Sequence, residues 1–239
     1  MNIIKPLFSI EQCLEYKDAL RVVEAAGRTC YKSEDKITEE SAESLIRKAV
    51  KNGHHTLLEH VSATVRLITS RGVSHEFVRH RIGIVFSQES TRFVSYGGKG
   101  INVIQPSWIS DERLTHVLAT MQAMKNGEYD CNLDLNDENY DVFIWLRAME
   151  DAERHYQNLI NKGLAPQFAR GVLPTDLKTE LVVTANFREW RHIFNLRVLG
   201  VTGSPHPDIK NLLQPLLENL QSNYPVFFDD LVISNDRKI

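Results

Sequence analysis

The chain has 239 residues, 28 of them basic and 31 acidic, which gives a formal net charge of −3. This balance argues against general binding to nucleic acid or to a membrane surface, so an anion site must be a local basic pocket. No apolar run approaches the roughly 20 residues that span a bilayer, and the start lacks a signal-peptide pattern. Three scattered cysteines without a Cys-x-x-Cys pair indicate a reduced, cytoplasmic protein.

The hydrophobic periodicity predicts alternating strands and helices. The predicted elements of the first half are a strand over 2–9, a helix over 10–27 capped by Ser9, a helix from Thr38 to Gly53, a strand over 61–70, and a short helix that Ser74 caps and that carries Arg79. The second half is predicted as a loop over 95–108, helices over 111–125 and 139–162, a strand over 179–187, a helix over 188–197 that starts at Asn186, and a last helix over 207–221. The polar, acidic segment 126–138 reads as a mobile or inserted loop.

Basic and hydroxyl side chains crowd into one short segment, in which Arg79-His80-Arg81 is followed by Ser87-Gln88-Glu89-Ser90-Thr91-Arg92. Three adjacent bases repel one another unless they are solvated or face a polyanion. Hydroxyl, amide and guanidinium groups at close range suit phosphate and planar polar ligands. On a helix, three successive residues would fan over about 200°, so the bases would contact different parts of a ligand. The alternative is a helix end with solvated surface charge.

Four blocks in register resemble the flavin-dependent thymidylate synthases. Besides the segment 79–92 they are Gly53-His54-His55-Thr56-Leu57-Leu58-Glu59-His60, Ala169-Arg170-Gly171-Val172-Leu173-Pro174, and the segment 184–197. The resemblance implies an α/β (α+β) fold, with a central, mostly antiparallel sheet packed with long helices, in a single domain over 1–239. It also implies an enzyme, a methyltransferase that converts dUMP to dTMP. Its carbon donor would be 5,10-methylenetetrahydrofolate, its hydride carrier FAD and its reductant NADPH. We further expect a cytoplasmic homotetramer whose subunits share active sites.

The resemblance also implies roles for individual residues. The flavin contacts carried over are Thr56, Arg79, His80, Arg81, Gln88, Asn186, Arg188 and His192, with Glu59 as a weaker candidate. The dUMP contacts carried over are Glu76, Arg79, Gln88, Ser90, Thr91, Arg92, Arg170 and Arg197. His54 matches a histidine at the mouth of the folate site. Arginine suits the phosphate contacts because its planar fork binds phosphate in a bidentate manner.

Arg197 is the residue to which we assign catalysis. In the helix 188–197, at about 100° per residue, it falls among the apolar residues Trp190, Ile193 and Phe194. A buried guanidinium cannot lose its proton and needs an acceptor. The alternatives are a frayed helix end, or an ion pair with a nearby glutamate. The resemblance implies instead a position against the uracil of dUMP, where the guanidinium would stabilise negative charge on the ring and make C5 nucleophilic.

The chain departs from the common family pattern in two places. Eight residues separate Arg81 from Ser90 instead of seven, and we expect the extra residue to bulge out between Gly83 and Phe86. Glu76 stands where a glutamine is frequent.

Two other hypotheses compete with that of a thymidylate synthase. The chain could be a non-catalytic nucleotide- or RNA-binding module that keeps the basic pocket, or a metal-dependent hydrolase built on the His54–His60 strip. That strip is not His-Glu-x-x-His, so we predict no metal site. A Gly-x-Gly-x-x-Gly loop is missing, so a flavin would bind through scattered side chains. None of Cys13, Cys30 and Cys131 stands in a Pro-Cys-His setting, and we expect no cysteine nucleophile.

Overall fold

A computed structural model describes residues 1–126 and 137–233. The strands within these ranges are β1 (Asn2–Ile4), β2 (Leu7–Cys13), β3 (Ser62–Ser70), β4 (Ile84–Gln88), β5 (Asn102–Ile104) and β6 (Lys178–Asn186). The α-helices there are α1 (Tyr16–Thr29), α2 (Ser41–Lys51), α3 (Arg71–Phe77), α4 (Asp111–Lys125), α5 (Asp137–Asn161), α6 (Pro166–Ala169), α7 (Phe187–Arg197), α8 (Pro207–Asn223) and α9 (Pro225–Phe228). None of the described helices is long and apolar enough to cross a bilayer.

The chain divides into two compact units. The first unit comprises Met1–Pro6, Ser70–Gly72 and Glu89–Thr179. The second unit comprises Leu7–Thr69, Val73–Gln88 and the described residues from Glu180 onward.

The second unit is built on a sheet whose strand order, in the described part of the chain, is β2-β3-β6-β4. β2 pairs antiparallel with β3, and β4 pairs antiparallel with β6. Side chains alternate between the two faces of a strand, and the buried set on β3 and β6 forms one core with residues of α1, α2, α7 and α8. The members of that set are Ala63, Val65, Leu67, Leu181, Val183 and Ala185. One face of the sheet therefore carries the helices.

An aromatic cluster fixes α7 on this core. The ring centroid of Phe187 lies 5.1 Å from the ring centroid of Phe227 and 5.0 Å from that of Phe228. The indole Nε1 of Trp190 donates to the backbone oxygen of Ala63 at 3.2 Å. Aromatic side chains bury large areas and dominate such packing. Because this side of α7 is buried, Arg188, His192 and Arg197 are left on the exposed or half-exposed part of the helix.

The first unit has its own core. β1 pairs in parallel with β5, and the N-terminal amino group lies 2.9 Å from the carboxylate of Glu153 on α5. The indole of Trp145 on α5 donates to Asp176 at 2.7 Å. Apolar residues from β5, α4 and α5 pack together here, among them Val103, Val117 and Leu146. These contacts hold the long helix α5 against the segments that precede β6.

Several predicted elements are confirmed. The α+β class with a mostly antiparallel sheet is correct, and α4 covers the predicted residues 111–125. β3, β6, α7 and α8 lie within two residues of their predicted bounds. The segment 126–138 lies almost wholly outside the described residues, and the prediction of one domain over 1–239 stays a prediction.

Other predictions are wrong. Ser9 does not cap a helix, because β2 continues through it and α1 begins only at Tyr16. The loop predicted over 95–108 contains β5, whose three residues are too short to give a periodic signal. The expected bulge between Gly83 and Phe86 is not present, since β4 pairs with β6 in continuous register from Ile84 onward.

Candidate functional site

Arg79, His80 and Arg81 lie in a turn after α3 and not on the helix that the sequence suggested. α3 ends at the buried Phe77, and the backbone N–H of His80 donates to the Phe77 oxygen at 3.0 Å. Ser74 is an internal residue of that helix. The turn leaves Arg79 and Arg81 exposed on either side of His80, which is only 5% exposed. Neither guanidinium forms an ion pair within the described ranges, so both remain open to an anionic ligand.

Gly83 brings this turn against the start of α7. Its φ of +69° is in the left-handed region, and a Cβ atom there would lie 2.4 Å from the side-chain nitrogen of Asn186. The backbone N–H of Asn186 donates to the Gly83 oxygen at 3.0 Å. As predicted, Asn186 caps α7: its side-chain oxygen accepts from the backbone N–H of Glu189 at 2.9 Å. The basic turn and the first turn of α7 are thus held together.

Arg197 lies at the last residue of α7, and all three of its guanidinium nitrogens have partners. Nη1 donates to the Glu76 carboxylate at 2.7 Å, and Nη2 donates to the Glu76 backbone oxygen at 3.3 Å. Nε lies 3.5 Å from Nε2 of His80. The two side chains of the ion pair are 23% and 27% exposed, so water still reaches them. The acceptor that a half-buried arginine needs is therefore Glu76, the alternative that the sequence left open.

His80 also contacts a residue that the sequence analysis missed. Its Nδ1 lies 3.2 Å from a carboxylate oxygen of Glu189. Its ring meets that of His192 edge to face, with the two ring centroids 5.6 Å apart. Burial and the nearby Arg197 lower the pKa of His80 to about 4. Burial raises the pKa of Glu189 to about 7. Asn-x-x-Glu at the start of a helix is a signal of the capping-box type that could have drawn attention to Glu189, although its carboxylate turns to His80.

His80, Glu189 and His192 are also the residues of the described chain whose possible metal-ligating atoms converge, within 4.8 Å of one another. The hydrogen bonds argue against this use. Nε2 of His80 faces the cationic Arg197, and Nδ1 faces Glu189. Neither ring nitrogen of His80 offers a free lone pair to an ion, and a guanidinium at 3.5 Å opposes a second cation.

The predicted phosphate contacts lie in the first unit. Arg170 donates from Nη1 to the buried hydroxyl of Thr91 at 3.2 Å. The guanidinium of Arg92 lies 5.3 Å from the ring centroid of the exposed Phe93, in cation–π geometry. Ser90 accepts from the backbone N–H of Arg92 at 3.3 Å. Both arginines are exposed without an ion pair inside the described ranges, which suits an anion.

Glu89, Tyr96 and Lys178 support this segment, and the sequence analysis missed all three. The Glu89 carboxylate accepts from the Tyr96 hydroxyl at 2.9 Å and from Lys178 at 2.9 Å. Burial and the adjacent carboxylate raise the pKa of Tyr96. This network fixes the residue just before Ser90. In the second unit, the Gln88 amide donates to the hydroxyl of Ser74 at 2.9 Å.

The remaining strip, His55–His60, forms a 3₁₀ segment. His54 precedes it and is exposed, and it lines a cavity of about 630 Å³ together with Tyr31 and Leu57. Thr56 is exposed, and Glu59 pairs with Arg188 at 2.5 Å. The described residues of this strip do not converge as metal ligands, in contrast to those around His80.

Two of the three cysteines can be placed. Cys13 is half-buried, and burial raises the pKa of its thiol. Cys30 is exposed, with its sulfur 3.6 Å from the backbone oxygen of Ala26. Cys131 lies outside the described residues. A raised thiol pKa disfavours the thiolate that nucleophilic catalysis needs.

Comparison with known proteins identifies the family. Residues 12–226 match the model of the family "Thymidylate synthase complementing protein", Thy1. The chain belongs to the flavin-dependent thymidylate synthase family. It is 36% identical to a flavin-dependent thymidylate synthase of Corynebacterium aurimucosum over 218 residues, which cover 89% of this chain and 80% of that one. It is 34% identical to the Corynebacterium glutamicum protein of the same name over 234 residues, 95% of this chain and 86% of that one.

A solved structure agrees in fold with this member of the family. The UMP/dUMP methylase PolB from Streptomyces cacaoi, bound with 5-Br dUMP, superimposes with a TM-score of 0.73 at 22% identity, over 96% of each chain. At that identity the likeness concerns the fold. The family, the methyltransferase class and the FAD cofactor predicted from the sequence are thereby confirmed.

Proposed function

We propose that this flavin-dependent thymidylate synthase methylates dUMP to dTMP, with 5,10-methylenetetrahydrofolate as carbon donor and NADPH as reductant. The observation that carries the proposal is Arg197, a half-buried guanidinium that His80 and Glu76 hold at the end of α7. A protein of the same fold, the UMP/dUMP methylase PolB, was solved with a brominated dUMP. The whole set of basic side chains described above lies inside the matched range 12–226.

The residues present fit a flavin. Gly83 has no side chain where one would collide with Asn186, and this leaves the basic turn flush against α7. Exposed guanidiniums of Arg79 and Arg81 supply the positive charge that a pyrophosphate requires. Polar groups for the ring system and ribose come from a wider set, namely Thr56, Gln88, Asn186, Arg188 and His192. His80 supports this set from behind, because its ring nitrogens face Arg197 and Glu189. When bound there, FAD supplies the hydride for the methyl group.

The nucleotide would bind by its phosphate and by its base. Arg92 and Arg170, with Ser90 and Thr91, bind the phosphate through charge-assisted hydrogen bonds. Arg197 faces the uracil carbonyl and N3. There its guanidinium stabilises the negative charge that develops on the ring, which makes C5 nucleophilic towards the methylene carbon.

In this scheme, none of the side chains assigned to the site forms a covalent bond to uracil. The Cys13 thiol is held protonated by burial, and Cys30 lies on the exposed end of α1. Ser90 is a binding residue, since its hydroxyl accepts a backbone hydrogen bond from Arg92 and contacts no base within the described part of the chain. The His54 cavity takes the folate.

Quaternary structure and location complete the proposal. In the second unit, exposed apolar side chains follow the basic turn, among them Ile82 and Val85. Such a surface fits a homotetramer in which subunits share active sites. The enzyme is cytoplasmic and binds neither nucleic acid nor membrane, in keeping with its small net negative charge.

The experiment is release of tritium from [5-³H]dUMP by the purified protein with FAD, NADPH and methylenetetrahydrofolate. We expect dTMP to form in step with tritium release, and both to require all three additions. Binding of FAD and dUMP without release would overturn the proposal in favour of a non-catalytic nucleotide-binding module. A rate that follows added metal and falls with a chelator would favour a metal-dependent reaction.

A further inference from the structure

We infer that Glu189 is a positioning residue for Arg197 and acts through His80. The three side chains form a continuous line of contacts from Glu189 Oε1 to His80 Nδ1 at 3.2 Å, and from His80 Nε2 to Arg197 Nε at 3.5 Å. This inference rests on the proposed role of Arg197 at the uracil ring. Glu189 itself does not face the ligand, because it is only 7% exposed and lies behind His80.

The hydrogen-bonding groups of arginine and histidine determine which atom donates in each of these two contacts. A guanidinium has only donors, so the nitrogen of His80 that faces Arg197 must be the acceptor. A neutral imidazole then carries its proton on the other nitrogen, Nδ1. His80 is neutral near pH 7, because burial and Arg197 lower its pKa to about 4. The Nδ1–H group therefore needs an acceptor, and Glu189 provides it.

Removal of that acceptor leaves a buried N–H group without a partner, which costs on the order of 1–3 kcal/mol. The ring escapes the cost by moving its proton to Nε2 or by rotating. In either case Nε2 no longer accepts from Arg197. The guanidinium then keeps only its contacts to Glu76, and its plane is no longer fixed from the Nε side. A planar fork acts on a uracil carbonyl and N3 only in the correct plane.

The other groups around Glu189 do not replace it. The Asn186 cap uses the backbone N–H of Glu189 and not its side chain, so a substitution leaves the cap in place. Arg188 pairs with Glu59 at 2.5 Å and forms no ion pair with Glu189 within the described residues. His192 meets the ring of His80 edge to face with the ring centroids 5.6 Å apart, and within the described residues it forms no hydrogen bond to His80 or Glu189.

Two substitutions separate this role from a structural one. Glu189→Gln keeps an acceptor, because its amide oxygen can take the Nδ1–H hydrogen bond, whereas Glu189→Ala removes it. We expect tritium release per folded molecule to fall by roughly 10- to 100-fold in Glu189→Ala and by less than about threefold in Glu189→Gln. Reduction of bound FAD by NADPH should stay within about twofold in both, because that half-reaction does not use Arg197.

A matched control is Glu24→Ala. Glu24 is also a buried helical glutamate, 2% exposed, and it pairs with Arg28 on α1. Its loss should lower stability without changing the ratio of the two half-reactions. An equal fall of that ratio in Glu24→Ala and Glu189→Ala would overturn the inference.

The tautomer of His80 gives a second readout that does not depend on activity. ¹⁵N NMR of the histidine-labelled full-length protein, assigned by comparison with His80→Gln, reports which ring nitrogen carries the proton. We expect Nδ1–H in the wild type and in Glu189→Gln, and a shift to Nε2–H in Glu189→Ala. A wild-type His80 protonated on Nε2 would overturn the inference even if Glu189→Ala did not fold. Failure of the wild type to release tritium, with Nδ1–H in place, would instead count against the proposed function.

Discussion

Glu76 and Arg197 stand 121 positions apart and meet in an ion pair in which a carboxylate oxygen lies 2.7 Å from Nη1 of the arginine. The backbone oxygen of the same glutamate accepts from Nη2 at 3.3 Å. One N–H group of the guanidinium proposed for uracil is therefore engaged by an internal carboxylate. A uracil that binds Arg197 competes with Glu76 for Nη1, although a guanidinium has five N–H donors and keeps others for the ring.

Replacement of Glu76 by glutamine should strengthen binding of dUMP. The pair is partly exposed, and such pairs contribute about 0.2–1 kcal/mol, so the dissociation constant should fall by at most about fivefold. Titration calorimetry with dUMP measures it, and Glu39→Gln on the surface is the control. Weaker binding in Glu76→Gln would mean that the carboxylate itself contacts the nucleotide.

The substitution Arg197→Lys keeps the charge but loses the planar fork. The protein should fold and bind FAD, yet lose about 2–4 kcal/mol of transition-state stabilisation, the scale of one oxyanion donor. Single-turnover methylation of dUMP measures this loss, and flavin reduction by NADPH serves as the internal control. A wild-type methylation rate would make Arg197 a structural ion pair and move the activating group elsewhere.

Binding of FAD should depend on the exposed arginines of the basic turn and of α7. The double substitution Arg79→Ala and Arg188→Ala should give folded protein with little flavin absorbance, because two charge-assisted contacts are lost. Arg21→Ala, an exposed arginine on α1, should remain yellow. Full flavin occupancy in the double variant would show that the flavin binds at another surface.

No cysteine should be needed for the chemistry. The triple variant Cys13→Ser, Cys30→Ser and Cys131→Ser should retain most of the wild-type rate per folded molecule. A loss beyond about a hundredfold, the scale on which a reacting group is removed, would reveal a nucleophile. Circular dichroism checks that the packing around Cys13 survives the change.

The charge of Glu189 should make stability depend on pH. Burial raises its pKa from 4.5 to about 7, so the folded protein favours the neutral carboxyl group. The contribution of this group to the free energy of unfolding is therefore complete below pH 4.5 and is lost as the pH rises through about 7. His80 stays neutral across pH 5–8, while Arg188 and Arg197 stay charged. Relative to the wild type, Glu189→Gln should therefore gain free energy of unfolding between pH 5 and pH 8. Urea denaturation curves at several pH values measure this gain, and a difference that stays constant with pH would contradict it.

Sequence patterns predicted the elements that carry a long, unbroken periodicity. Residues 111–125 begin after Ser110, whose hydroxyl caps the helix, and both bounds of α4 follow from local signals. β3 was predictable because Ala63, Val65 and Leu67 alternate with polar residues. The start of α1 was not, because Ile10 and Cys13 continue β2 through a pairing with β3, about 55 residues away, that no local pattern encodes.

In the candidate site, too, residues in local motifs were predicted, and residues whose role depends on tertiary contacts were not. The resemblance supplied the exposed arginines and Arg197, since these occur in contiguous motifs. It did not supply Glu189, Glu89 or Tyr96, whose partners depend on the tertiary fold. The pairing of Arg197 with Glu76 was foreseen only as one alternative, because a contact between α3 and α7 depends on how the two helices pack.

The close approach of Gly83 to Asn186 restricts how the two positions can vary. A side chain at position 83 would collide with the amide of Asn186, and alanine at position 186 would remove the cap of α7. The cost of losing a cap is about 1 kcal/mol. Each of these single substitutions is therefore harmful, and the left-handed φ of Gly83 disfavours a side chain there even if Asn186 also changes. One close contact thus restricts two positions at once, although 102 residues separate them in the chain.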